Sequence, residues 1–311
     1  LNITGKGRCN VTNACSAEEV LRNVPRNGKF LYSAMSAFPP ERMMAWLESR
    51  GCPLKVERGN RVFPVSDRAF DISAALERRL KALRVRWAHD RAVDIETADG
   101  AVCAVRGEGE SYAADAVILA TGGVSYPATG STGDGHRLAA ALGHTVTELD
   151  GSLVPLEGII APGIPCARLQ GLSLRNVGLT VYEGKRKIYQ DFGELLFTHF
   201  GVSGPLVLSA SAHMRHFGKK DYRFEIDLKP ALDQNQLDKR FLADFQKYLN
   251  HDFRNALDDL LPQKLIPVVI ELSGIPPQEK VHDITREQRL ALLAVLKAFP
   301  VTITQKRPVT D

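Results

Sequence analysis

The stretch Gly5-Lys6-Gly7-Arg8-Cys9-Asn10-Val11-Thr12-Asn13 is the part of this sequence best suited to chemistry. Two glycines, two basic side chains and three short polar residues make a loop whose N–H groups can face an anion. A backbone nest with a guanidinium fork suits phosphate. Gly5-x-Gly7 lacks the third glycine of a Rossmann fingerprint, and no full strand precedes it. It is not a Walker loop either, and on spacing alone a tight turn serves equally well. Two further glycine runs stand out. Ala120-Thr121-Gly122-Gly123 ends an apolar segment, and is either a ligand-approach loop or a plain strand exit. Gly130-Ser131-Thr132-Gly133-Asp134-Gly135 delivers amides to the start of a helix, with Thr132 or Asp134 available as cap. A glycine-rich turn plus cap is the plainer reading.

Reactive side chains are fewer. Cys9 follows Arg8, which can lower a thiol's pKa, but a small packing residue fits the same place. His199, between Thr198 and Phe200, is either an acid or base facing substrate or a structural hydrogen-bonder. Tyr126 either lines the face of a bound ligand or packs, and Trp46 and Trp87 read as core. No catalytic triad, paired-carboxylate or His-Glu-x-x-His pattern is present, and no metal site is expected.

The elements around these motifs follow from periodicity and punctuation. Ser16 caps a helix to Asn23, with Glu19 at the capping-box position. A helix over 40–50 ends at Gly51, and Ile72, Leu76, Leu80 and Leu83 mark one face of another over 71–83. Strands are predicted at 85–87, 92–97 and 102–106, the last two joined by Asp99-Gly100. Ala116-Val117-Ile118-Leu119-Ala120 is a continuous apolar run, as in a strand buried on both faces of a parallel sheet. His136 to Leu142 is a helix closed by Gly143. From Gly151 the texture turns β-rich, with a hairpin around Glu183-Gly184 and a strand at 223–228, giving a small antiparallel sheet or barrel. Helices are predicted at 237–249, 257–261 and 286–299. Lys264 to Ser273 is ambiguous between strand and helix, and 301–304 is a strand returning to a sheet.

Composition narrows the class. The 311 residues are 44% hydrophobic and 24% charged, which excludes disordered and fibrous chains. With 40 basic and 36 acidic residues the formal charge is +4, too small and too scattered for a nucleic-acid stripe. The Lys185-Arg186-Lys187 cluster reads as an exposed hairpin tip, with a phosphate-bearing ligand as the alternative. Five cysteines without a C-x-x-C pair are neither a disulfide framework nor a zinc site. They read as reduced thiols and suggest a cytoplasmic protein. No apolar run reaches the ~18 residues needed to cross a bilayer, and no signal peptide is seen.

Taken together, the motifs resemble one family. Thr4 to Asn13 is similar to the S-G-x-G-R-C-N-x-T-N signature of bacterial NAD(P)/FAD-dependent oxidoreductases, a group that includes aminoacetone oxidase and BaiN-type bile-acid reductases. The run from Ala120 to Gly135 matches the same family, as do Gly143-His144, Leu153 to Leu156, and Gly193 to Pro205. The resemblance covers essentially the whole chain. It implies an α/β Rossmann-like FAD-binding domain, here incomplete, with an inserted β-barrel and a helical subdomain. The ranges are 1–150 for the FAD-binding part, 151–230 for the barrel, 231–300 for the helices and 301–311 for a strand returning to the first domain. It also implies cofactor roles. Gly5, Lys6, Gly7, Arg8, Cys9 and Asn10 would sit by the flavin, Val93 would make a backbone contact to adenine, and Thr121, Gly122 and Gly123 would pass the pyrophosphate or ribityl chain. The segment from Phe197 to Pro205 would lie in the insert near its junction.

The family's opening strand, its G-x-G-x-x-G turn and ribose acid, and its closing strand and glycine loop are not found in this sequence, which suggests a fragment or truncated product. The expected activity is hydride transfer between FAD and a small organic substrate, with NAD(P)H a candidate electron donor; the cofactor carries the hard chemistry. The alternative is a non-catalytic, flavoprotein-derived binding module, and an RNA-associated flavoprotein ranks last. Substrate, electron partner and oligomeric state are not legible.

Overall fold

A computed structural model describes residue 2 and residues 7–309. The chain divides into two compact units, Leu1–Ala92 with Gly107–Ser111, and Val93–Arg106 with Tyr112–Asp311.

The first unit holds an antiparallel sheet of order β1-β3-β2, formed by β1 (Thr12–Asn13), β2 (Leu54–Glu57) and β3 (Arg61–Pro64). Its helices are α1 (Ala17–Arg22), α2 (Tyr32–Ala37), α3 (Pro40–Glu48) and α4 (Ala69–Ala82). Ser16 caps α1 as expected, its Oγ accepting from Glu19 N at 3.2 Å. Pro40 opens α3, where a missing N–H does no harm, and Gly51 beyond its end adopts φ +72°. Leu47, Ile72 and Ala75 bury against one another with Cys9 and Cys52, and Trp46 packs on the edge of this small core.

Two sequence expectations fail near the boundary. Residues 85–87 form no strand, and Trp87 is 57% exposed instead of core. Residues 116–120 form no strand either, and Ile118 is 92% exposed. Apolar content alone does not make a strand; the backbone needs a ladder partner, and among the described residues none pairs with this run.

A meander of order β4-β5-β6 comprises β4 (Ala92–Ala98), β5 (Ala101–Gly107) and β6 (Ser111–Ala113). Its first turn has positive φ at both Asp99 and Gly100, the backbone that a two-residue type I′ hairpin requires. Further on lies α5 (Asp134–Ala141), closed by Gly143 at φ +87°.

The rest of the second unit is a closed antiparallel barrel with helices packed on it. Its strands are β7 (Leu156–Ala161), β8 (Ile164–Pro165), β9 (Ser173–Glu183), β10 (Arg186–Phe197), β11 (Gly201–Ser203), β12 (Tyr222–Asp227) and β13 (Phe299–Lys306). The order β11-β10-β9-β12-β13-β7-β8 is closed by pairing of β11 with β7, a ring of six strands with β8 outside it. Closure runs through short contacts, β10 meeting β11 at Leu196 and Phe197 and β11 meeting β7 at Gly201 and Val202. It also needs a strand without side-chain bulk: a Cβ on Gly201 would collide with the Leu156 carbonyl oxygen across the closing pair.

The last strand differs from expectation. β13 pairs with β12 and β7 inside this barrel instead of joining a sheet of the first domain. Its alternation explains why, since Phe299, Val301 and Ile303 all point into the barrel core.

The helices are α6 (Pro205–Ser211), α7 (Gln234–Lys247), α8 (Ile266–Ser273) and α9 (Arg286–Lys297). Capping boxes start α7 at Asp233 and α9 at Thr285. The ambiguous stretch resolves as helix α8: Pro267 sits in its first turn, and Gly274 ends it at φ +70°. Residues 257–261 form turns that bury Leu257, Leu260 and Leu261, not the predicted helix. Barrel interior and helices share one hydrophobic core, from Leu179, Phe197 and Phe224 through Phe241 to Leu292 and Leu296.

Candidate functional site

In the first unit, Gly5 and Lys6 lie outside the described residues. From Gly7, at φ +81°, the loop is sewn to the β2–β3 hairpin. Val11 N donates to Val62 O at 2.9 Å, and Asn13 Nδ2 to Gly59 O at 2.9 Å. With its amide turned to donate, Asn10 reaches Val62 O at 3.2 Å and Thr12 O at 3.0 Å.

Arg8 corrects a sequence expectation. Its fork does not wait for phosphate: Nη1 and Nη2 clamp Glu57 at 2.9 and 3.1 Å, and Nη1 also meets Asp67 Oδ1 at 3.0 Å. Its guanidinium lies 4.0 Å from the Phe63 ring centroid. The hydrogen bond from Arg8 holds the Glu57 carboxyl below the usual carboxylate range, and the one from Lys55 does the same for Asp67. Arg8 therefore positions the loop.

Cys9, at φ 59°, turns its side chain inward and is 4% exposed. Burial beside Leu47 and Cys52 supports the packing reading of Cys9 over the reactive-thiol one.

In the second unit, the structure brings together two loops that are only neighbours in sequence. Gly133 N donates to Gly123 O at 3.2 Å, and a Cβ on Gly122 would stand 3.1 Å from Ser131 Oγ. Gly122, Gly130 and Gly133 all have φ between +75° and +92°, a backbone that L side chains avoid. A Cβ on Gly135 would collide with Thr121 Oγ1, so the threonine packs directly on the first turn of α5. No side chain caps that helix: Gly133 is the N-cap, and Thr132 Oγ1 donates instead to Asp134 Oδ2 at 3.0 Å. Gly123, like Gly130, has no heavy atom within 4 Å of where its Cβ would be, and unlike Gly130 it does not have positive φ. Main chain laid open in this way is a cradle that any side chain would fill, and it fits a dinucleotide lying against the backbone.

Around this cradle, Tyr126 takes φ 54° with an exposed ring. Its carbonyl accepts from Thr129 N and Oγ1 at 2.9 and 2.8 Å. Val93 O accepts from Arg137 Nη1 at 3.0 Å, tying β4 to α5. Sequence reasoning missed His136. Its Nδ1 is buried with no hydrogen-bond partner among the described residues; a lone histidine after a glycine run carries no signal of that.

His199 stands apart from these loops in the chain. It is exposed on the β10–β11 turn, where Thr198 N donates to Gly201 O at 2.9 Å, and its ring meets Phe200 edge-on at 5.0 Å. Among the described residues, no group of three or more His, Cys, Asp or Glu could hold a metal ion. No helix there is long and apolar enough to cross a membrane.

Glycine loops that open the main chain at a helix start, joined to a barrel with helices, fit a Rossmann-like flavoprotein oxidoreductase, the class to which the family match and a reductase relative point. The chain belongs to the HI0933-like protein Rossmann domain family, whose model matches residues 1–275. It is 27% identical over 302 residues to a 3-dehydro-bile acid delta(4,6)-reductase of Clostridium scindens, spanning 96% of this chain and 72% of that protein. It is 33% identical over 170 residues to a ribosomal RNA dihydrouridine synthase of Haemophilus influenzae, 55% of this chain and 39% of the relative. A ribosomal RNA dihydrouridine synthase of Escherichia coli is 26% identical over 196 residues, 62% and 45% respectively. The family, the Rossmann-like fold class with its barrel, and the oxidoreductase class expected from the sequence all stand, and the non-catalytic module is not favoured.

Proposed function

We propose that the protein binds FAD and transfers hydride between the flavin and a small organic substrate, with NAD(P)H as electron donor. The open main chain at Gly123, between left-handed Gly122 and the Gly133 cap, is the observation that carries this reading. Thr121, Gly122 and Gly123 would hold the pyrophosphate or ribityl chain by backbone contact, Val93 the adenine, and the loop from Gly5 to Asn10 the flavin edge. Tyr126 would offer its exposed ring, and the unpartnered His136 Nδ1 a further polar contact.

Bound flavin supplies the hydride acceptor or donor. The chain's own part is to present amides, exclude side-chain bulk and hold the loops: Arg8 does the last by clamping Glu57 and Asp67. His199 is the candidate proton donor or acceptor toward substrate. The names of the relatives support a substrate with a carbon–carbon double bond that gains two hydrogens.

Purified protein should be yellow, release FAD on denaturation, and bleach anaerobically with NADPH or NADH. A colourless chain that takes up no added FAD would refute the cofactor assignment.

One observation favours a second substrate reading, a uridine in RNA. Lys185, Arg186 and Lys187 are exposed at the β9–β10 tip. Gly184 N donates to Asp221 O at 2.9 Å, and Glu183 binds His216 at 2.7 Å, which carries Arg215, Lys219 and Lys220 to the same end. Salt-sensitive RNA retention, lost on charge reversal at 185–187, would favour this reading over a small substrate.

A further inference from the structure

The outer face of the barrel carries a hollow that the flavin reading does not use. β9 runs there between β10 and β12, and register places Phe192, Gly178 and Asp227 in one cross-strand row. Glycine at the middle of that row leaves the floor bare: a Cβ on Gly178 would already touch Asp227 Cβ at 3.4 Å. Beside it opens a hollow of about 670 Å³, walled by Phe192, Leu228, Pro230 and Leu232, with Asn176 and Lys229 as its polar groups. That is the size of a small-molecule site. Phe192 is 57% exposed there, an aromatic wall more than half open to solvent.

Of the charges around this hollow, the Lys229 ammonium alone lacks a partner among the described residues. The Asp227 carboxylate is taken by Lys297, 2.5 Å away, and by the Lys229 backbone N–H at 3.0 Å. Arg240 is held by Asp244 at 2.7 Å. The Lys229 ammonium has no ion pair or hydrogen bond among the described residues, and burial, then the nearby Arg240 charge, pushes its pKa down. A partly desolvated cation facing no acceptor gains from an anion that arrives with its own apolar surface. One ammonium and one amide suit a carboxylate, whereas phosphate sites gather several donors.

We propose that this hollow binds a medium-chain carboxylate, its chain along Phe192, Leu228 and Leu232 and its head on Lys229. The site is built by the barrel and the segment leaving β12, so the inference goes beyond the flavin assignment and stands or falls without it.

Decanoate titrated calorimetrically into the 311-residue chain, below its micelle concentration, tests this. Saturable one-site binding is expected, weakened about ten-fold or more by Lys229→Met, kept by Lys229→Arg, and weakened by Phe192→Ser. Decyltrimethylammonium, with the same tail and opposite head charge, should not bind. Absence of saturable decanoate binding, equal affinity in Lys229→Met, or equal binding of the cationic amphiphile would overturn the proposal. Thermal melts establish that the variants fold; should Lys229→Met not fold, the head-group comparison on the unaltered chain decides. Flavin content, read from absorbance in the same samples, should not change.

Discussion

Gly123→Ala separates cofactor binding from folding. Gly123 does not have positive φ, and its Cβ would meet no heavy atom within 4 Å. Adding a methyl there costs the protein nothing in contacts and trims the freedom of the unfolded chain, so stability should hold or rise by about 0.4–1 kcal/mol. If a dinucleotide lies against this main chain, the same methyl intrudes on it. Overpacking of that kind costs about 1–3 kcal/mol, which at about 1.4 kcal/mol per decade is roughly five- to 150-fold in Kd.

The neighbour provides the contrast. Gly122 sits at φ +75° with Ser131 Oγ 3.1 Å from its absent Cβ. Gly122→Ala should therefore destabilise by about 1–2 kcal/mol from backbone conformation alone, flavin or not. Thermal melts and FAD titration by flavin fluorescence quenching, run on both variants, provide the assay. Unchanged FAD affinity in a well-folded Gly123→Ala protein would refute the reasoning.

Gly201→Ala drives a methyl into the Leu156 carbonyl across the pair that closes the barrel; urea denaturation should show a loss of about 3 kcal/mol or more, since neither backbone can yield. Glu183 receives hydrogen bonds from His216 and Tyr222, which lower its carboxyl below the ordinary 4.5. A lowered folded value contributes stability above 4.5 that is lost as pH falls through the folded value. The melting-temperature gap between the parent chain and Glu183→Gln should thus be full at neutral pH and shrink in acid; a gap independent of pH would contradict it. Burial pushes the Cys166 thiol up to about 12, while Cys103 is exposed, so mass spectrometry after brief alkylation should find Cys103 modified well before Cys166. His199→Ala removes an exposed ring and should change stability by less than about 0.5 kcal/mol; an unchanged kcat would remove His199 as the proton carrier, whose loss is worth about 10²–10⁴-fold.

The sequence by itself determined what is local. The Ser16 cap and the Asp99-Gly100 turn depend on the few residues around them, and both are found where spacing placed them. The motif resemblance located the family for a related reason, because loops that leave no room for a side chain tolerate few residue types.

What spans the chain was decided by tertiary structure alone. Arg8 reads as a phosphate fork until Glu57, 49 positions away, and Asp67, 59 away, claim it. Strand β13 reads as a return to the first domain until Gln305 meets Glu157 across a separation of 148 residues. The run at 116–120 has a strand's composition but no ladder. Charge pairing, strand pairing and burial are completed by partners that no window of sequence contains, so a residue's type announces what it can do and the fold selects which of those things it does.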